Sequence, residues 1–226
     1  MIILREIWNI LSLGGPTALP LLIASIFSLA VIIEKTLFFA RYKGSNTRLI
    51  KKVEMLLEEG DTMAALNQLK GKRGPAVKML STAVKHNSED PERIRELLQI
   101  VGENEIKKME RHLPILDVVA MVSPLLGLLG TVLGIISSFN ILGATAGVGN
   151  PAQVSGGIAA ALISTAIGLI IAIPTAIFYS YFSNIVERKA HKLNQSMVEI
   201  MDIINNNDSN SRYRTRRERN VQTYSK

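Results

Sequence analysis

The 226-residue chain predicts an all-α membrane protein: three transmembrane helices, a helical cytoplasmic loop, and long helices extending below the membrane. Three observations carry this prediction. From Val118 to Val186 there is no Asp, Glu, Lys or Arg. About 20 apolar residues already cross a bilayer core, so a stretch this long must turn back on itself. A second uncharged run covers Ile7–Ile33, and the basic residues are segregated. Of the 26 Lys and Arg, 15 lie in Arg41–Arg111, 9 in Asn184–Lys226, and the other two are Arg5 and Lys35. By the positive-inside rule the 41–112 loop and the C-terminal tail are cytoplasmic, and the N-terminus and the 144–157 reversal face outward. The net charge of +7 therefore reflects topology, and no nucleic-acid partner is expected.

Residues 1–17 form an outer, interfacial segment in which Trp8 suits the headgroup region. The run is longer than a signal-peptide core and lacks an A-x-A-like cleavage site, so it is kept as a mature span over 18–40. Glu34 and Lys35, followed by Arg41 and Lys43, are placed to snorkel at its cytoplasmic end. The 41–112 loop is helical. Leu49, Val53, Leu56 and Leu57 recur at helical spacing before Gly60, Asp61 caps Thr62–Leu69, Pro75 opens a helix to His86, and Asp90-Pro91 opens another. That last helix, carrying Ile94, Leu98, Val101, Ile106 and Met109, is expected to run straight into the second span. Glu103, Glu105 and Glu110 read as a solvated face, and His86 and His112 as surface polar residues without metal-ligand company. The second span covers 113–142, a periplasmic turn 143–154, and the third span 155–185. Residues 186–226 are a cytoplasmic helix followed by a basic tail too poor in apolar residues to fold. There is no cysteine, no nucleophile–base pair and no metal-binding cluster, so neither catalysis nor a cofactor is expected.

The two arms of the hairpin carry more small and hydroxylated residues than lipid contact requires. On the second span Asp117, Pro124, Thr131 and Ser138 lie seven apart, with Gly127, Gly130 and Gly134 between them. Residues seven apart fall within about 20° on a helix, so these make one polar seam. On the third span Gly156, Ala160, Ser164, Gly168, Ala172 and Ala176 recur at a spacing of four, beside Gly157, Ala161 and Thr165, and Pro174 should bend the helix. Close helix packing and an ion path are both served by such seams. The candidate path residues are Thr131, Thr165, Ser164, Ser138 and Asp117. The packing or pore-lining set is Pro124, Gly127, Gly130, Gly134, Gly156, Ala160, Gly168 and Pro174. Asp117 is the only acid on the seam, about 21 Å from Thr131 at 1.5 Å per residue, and suits either a cation exit or an interfacial hydrogen bond. No Asp, Glu, His, Lys or Arg lies between Asp117 and Glu187, so a charged relay group must come from another chain or from the mouth.

The run SPLLGLLGTVLGIISSF (Ser123–Phe139) followed by GGIAAALISTAIGLIIAIPTAIFYSYF (Gly156–Phe182), with GDTMAAL at Gly60–Leu66, resembles the MotA/TolQ/ExbB proton channel family. With three spans the chain is more similar to TolQ and ExbB than to four-span MotA. The resemblance implies a bacterial inner-membrane subunit forming a homopentamer around two single-span TolR- or ExbD-like partners. A partner Asp would take up and release the ion, and ion flow would drive rotation. It also implies that Thr131 and Thr165 face the lumen. In TolQ and ExbB an I-A-E-A-L-I motif places a Glu where this chain has Ala160. The expected function is thus an ion-channel subunit that couples proton or sodium motive force to work on the envelope. The alternative is a non-conducting scaffold of the same fold, and a secondary transporter is disfavoured because the spans show no inverted repeat.

Overall fold

The computed structural model describes residues 17–41, 47–72, 74–87, 89–144 and 151–224. Every element in them is helical: α1 (Ala18–Arg41), α2 (Thr47–Glu58), α3 (Thr62–Leu69), α4 (Pro75–Lys85), α5 (Pro91–Glu110), α6 (Leu113–Ala144) and α7 (Pro151–Tyr224). Three of them, α1, α6 and α7, are long and apolar enough to cross a membrane. The chain divides into two compact units, Met1–Phe39 with Arg111–Asn184, and Ala40–Glu110 with Ile185–Lys226.

In the first unit α1 buries one face, Thr17, Ala18, Leu21, Ser28, Val31 and Lys35, and exposes Leu19, Ile23, Ile26, Phe27, Ile33 and Leu37. From Ala18 the buried set steps by three, four or seven, which keeps it on one side of a 3.6-residue helix. Lys35 belongs to that buried face and does not snorkel. Its Nζ lies 5.3 Å from the centroid of the Phe38 ring, and Phe39 stacks on Phe182 of α7 at 5.8 Å. Glu34, one residue away and therefore rotated by about 100°, is exposed and pairs through Oε2 with His112 Nδ1 at 2.7 Å.

The expected continuous helix from α5 into α6 is interrupted. His112 adopts φ +67, the one positive φ outside glycine among the described residues. The cause is Pro114, whose ring clashes with the carbonyl of Glu110 and which has no N–H to donate to it. Helix α6 restarts with an Ile115 N–H bond to the His112 carbonyl, and Pro114 occupies its first turn, where a missing donor is harmless. Helix α6 runs to Ala144 and α7 opens at Pro151. Residues 145–150 of the turn and residues 1–16 of the interfacial segment lie outside the described residues.

The second unit packs α2 to α5 and the 193–204 portion of α7 around Leu49, Val53, Leu57, Ala65, Leu69, Met79, Leu80, Val84, Ile94, Leu98, Leu193, Ile200 and Ile203. The expected punctuation is present. Gly60 turns at φ +80, Asp61 Oδ1 accepts the Ala64 N–H at 2.9 Å, and Pro75 and Pro91 open their helices. His86 caps α4, with its Nδ1 2.9 Å from the Thr82 carbonyl. Helix α7 continues to Tyr224 through the tail expected to be disordered. No Gly or Pro follows Pro174 in it, and extending a formed helix avoids the cost of nucleation.

Glu105 corrects the reading of a solvated acidic face. Glu103 and Glu110 are exposed, but Glu105 is 8% exposed and lies on the buried side of α5 with Leu98, Gly102 and Met109. Its Oε1 accepts from Lys78 Nζ at 2.7 Å and from Lys108 Nζ at 2.6 Å. Burial pushes its pKa up, but the hydrogen bonds from Lys108 and Lys78 outweigh burial and hold the carboxyl below the usual range. A depressed folded pKa contributes stability above the unfolded value of about 4.3, and that contribution is lost as pH falls through the folded pKa. Glu105→Gln keeps the shape and removes the charge. We expect it to melt several degrees below the parent protein at neutral pH, with the gap closing as pH falls through the depressed folded pKa, when thermal unfolding in detergent is followed by circular dichroism.

Candidate functional site

The candidate site is the line along which α6 and α7 pack antiparallel. Glycine makes their approach possible. A Cβ at Gly127 would lie 2.9 Å from the Thr165 Cα, one at Gly134 2.7 Å from the Ala161 Cβ, and one at Gly168 2.6 Å from the Ser123 carbonyl oxygen. One at Gly130 would overlap the Ser164 hydroxyl, and one at Gly157 the Ser138 hydroxyl. Five successive levels of the hairpin, Ser138·Gly157, Gly134·Ala161, Gly130·Ser164, Gly127·Thr165 and Ser123·Gly168, thus place a glycine at the contact, and at Gly127, Gly134 and Gly168 a methyl would strike backbone or Cβ atoms that cannot turn aside.

This contact face is rotated relative to the four-residue stripe expected on α7. A spacing of four advances 400° and drifts by 40° per step at 100° per residue. Over the five steps from Gly156 to Ala176 the stripe leaves the interface. Gly156 has open space around it, Ala160 is half-buried, Ala176 is exposed, and the buried face runs through Ala161, Ser164, Gly168, Ala172 and Thr175. On α6 the seven-residue seam drifts less, yet it follows one edge of the contact: Ser123, Gly127, Gly130 and Ser138 are buried, Pro124, Thr131 and Gly134 half-buried, and Asp117 exposed.

Thr131 and Thr165 are brought together at that edge, with their hydroxyl oxygens 3.2 Å apart. Each hydroxyl has one proton. Thr131 donates to the Leu128 carbonyl at 2.7 Å and Thr165 donates across the interface to the Gly127 carbonyl at 3.0 Å. When both hydroxyls donate to these shorter-bonded carbonyls the facing oxygens present lone pairs, and the 3.2 Å contact equally allows either hydroxyl to donate to the other. Such a pair suits a donor from a third party: water, hydronium or a metal cation.

The other predicted path residues do not join this pair. Ser138 donates to its own Gly134 carbonyl at 2.9 Å, two turns towards the connection. Ser164 faces α1, where its Oγ is 2.8 Å from the Thr17 Oγ1. Pro124 and Pro174 both lie inside helices. Lacking an N–H, each leaves the carbonyl four residues earlier, Ala120 or Ile170, without its helical partner. Two further polar residues were not singled out by sequence: Thr17, and Ser123, whose buried hydroxyl has no partner among the described residues. Thr17 could have been found from the periodicity it shares with Leu21, Ser28 and Val31; Ser123 was hidden in an apolar run. No group of His, Cys, Asp and Glu that could hold a metal occurs among the described residues.

Comparison with known proteins bears on the same region. The family model described as the MotA/TolQ/ExbB proton channel family matches residues 71–195. The chain is 34% identical over 179 residues to the putative biopolymer transport protein ExbB-like 3 of Synechocystis, covering 78% of this chain and 84% of that protein. It is 29% identical over 181 residues to a putative biopolymer transport protein ExbB homolog of Methanothermobacter thermautotrophicus, covering 80% and 64%. Over 98 residues it is 45% identical to the Tol-Pal system protein TolQ of Pseudomonas aeruginosa, 42% of each chain.

The packing predicts a contrast between glycines. Gly127→Ala and Gly134→Ala force a methyl into backbone or Cβ atoms and should each destabilise by about 1–3 kcal/mol. Gly156→Ala meets open space and should be neutral or stabilising by up to about 1 kcal/mol. Melting temperatures of the detergent-solubilised variants check the contrast.

Proposed function

Because the chain belongs to the MotA/TolQ/ExbB proton channel family, we propose that it is the ion-channel subunit of an energy-transducing complex of the bacterial inner membrane. The work is done through a single-span TolR/ExbD-like partner, two copies of which sit inside a homopentamer of this chain. The N-terminus is periplasmic and the C-terminus cytoplasmic, following the distribution of Lys and Arg.

The Thr131–Thr165 pair is the observation that supports this reading best. The two residues are half-buried on the edge of the hairpin contact, and both hydroxyls are within reach of backbone carbonyls to which they can donate. They serve as neutral ligands for a passing cation or as acceptors for a water chain, without a charge that would trap the ion. Since no acid or base lies between Asp117 and Glu187, the titrating group belongs to the partner helix. Asp117, exposed near the start of α6, is the exit acid. Pro124 and Pro174, each with a freed carbonyl one turn earlier, and the glycines that shape the contact line the same path. The second reading, a non-conducting scaffold, draws on Ala160, which stands where the resemblance leads one to expect a Glu.

Thr131→Ala combined with Thr165→Ala separates the readings. In vesicles holding the chain and its partner, conduction predicts that ion flux falls by at least tenfold while the oligomer, judged by native mass, stays intact. Loss of the oligomer favours the scaffold, whereas unchanged flux removes the threonine pair from the ion path. Imposing a proton gradient and a sodium gradient separately identifies the ion, and flux under neither would exclude a motor.

A further inference from the structure

Ser164 and Thr165 are adjacent in α7 and so point about 100° apart. Thr165 turns to α6. Ser164 turns to the start of α1, where its hydroxyl meets that of Thr17 at 2.8 Å, with Thr17 3% and Ser164 1% exposed. The pair occupies the space over Gly130: a Cβ there would lie 2.5 Å from the Thr17 hydroxyl and would overlap that of Ser164. Three helices therefore converge on two hydroxyls and one missing side chain.

The contrast with other hydroxyls in these helices is informative. Ser28, Thr36, Ser138 and Thr175 each donate to a carbonyl three or four residues back in their own helix, which satisfies the side chain and links nothing. The Thr17–Ser164 bond joins residues 147 apart in sequence. Breaking it would take this partner from the buried Ser164 hydroxyl, and among apolar helices that favours keeping the two elements in one register.

We propose that Ser164 is a positioning residue: held by Thr17 over Gly130, it fixes the rotation of α7 that turns Thr165 towards Thr131. This rests on the reading of the threonine pair as part of the ion path. Ser164 itself touches no ion. A rotation of α7 by a few tens of degrees would carry the Thr165 oxygen away from both the Gly127 carbonyl and Thr131, so the geometry of the pair depends on a bond made on another face of the helix.

The chain contains no cysteine, so Thr165→Cys gives each copy of it a single reporter thiol, assayed in a complex whose unmodified form serves as the labelling blank. Its labelling rate with a small water-soluble methanethiosulfonate is expected to change several-fold when Ser164→Ala or Thr17→Val is added, and to be restored by Thr17→Ser, which keeps the hydroxyl. An unchanged rate would overturn the proposal. On the native Thr165 background, Ser164→Ala and Thr17→Val should each lower flux per assembled complex several-fold, with the double variant no worse than either single, because both delete the same bond. A fall in melting temperature with flux per complex and labelling unchanged would reduce the pair to packing alone and sink the proposal. If the Thr131→Ala/Thr165→Ala protein conducts normally, the ion-path reading fails instead, and the labelling experiment still decides whether Ser164 sets the rotation.

Discussion

The backbone approach of α6 and α7 is the constraint on which the rest of the membrane unit depends. Gly127, Gly130, Gly134, Gly157 and Gly168 each sit where a methyl would strike the opposing helix or a hydroxyl beside it. In a bilayer the lipid tails are as apolar as leucine, so helices are not driven together by water and must instead gain from close contact and interhelical hydrogen bonds. The glycines supply the first directly. They also bring the second within reach, because only with the Gly127 backbone this near can Thr165 donate to its carbonyl.

Close approach also decides how polar groups are distributed in a stretch without charges. Hydroxyls at the centre of the contact are consumed locally, Ser138 by its own helix and Ser164 by α1. Those at its edge, Thr131 and Thr165, retain acceptor capacity. Position relative to the contact thus separates structural hydroxyls from available ones, although the residue types are the same. The large apolar residues Leu125, Leu128, Leu129, Val132, Ile135 and Ile136 of α6 stay outside the hairpin contact and are exposed.

Much of this was legible in the sequence. The three apolar helices follow from the absence of charge, the loop helices from Gly60, Asp61, Pro75 and Pro91, and the threonine pair from the seam and the family motif. The misplaced features share a physical origin, small angular errors and single residues. A four-residue stripe drifts by 40° per step, enough to carry Gly156 off the interface and to send Ser164 to a different partner from Thr165. Pro114 looks harmless inside an apolar run, yet it breaks the helix at His112. Glu105 and Lys35 read as solvent-facing by chemistry, while their spacing from Leu98 and Val31 put them on buried faces. For Glu105 and Lys35 periodicity was the better guide than residue type.

The hydroxyl protons of Thr131 and Thr165 have one more consequence. With both directed at the Leu128 and Gly127 carbonyls, the pair is electrostatically one-sided: it offers oxygen and withholds hydrogen. A chloride ion arriving there would find no donor to replace its hydration shell, whereas a cation would find two. On the proposed ion-path reading, discrimination by the sign of charge needs no fixed carboxylate in this chain and rests instead on how two O–H dipoles are turned towards the backbone.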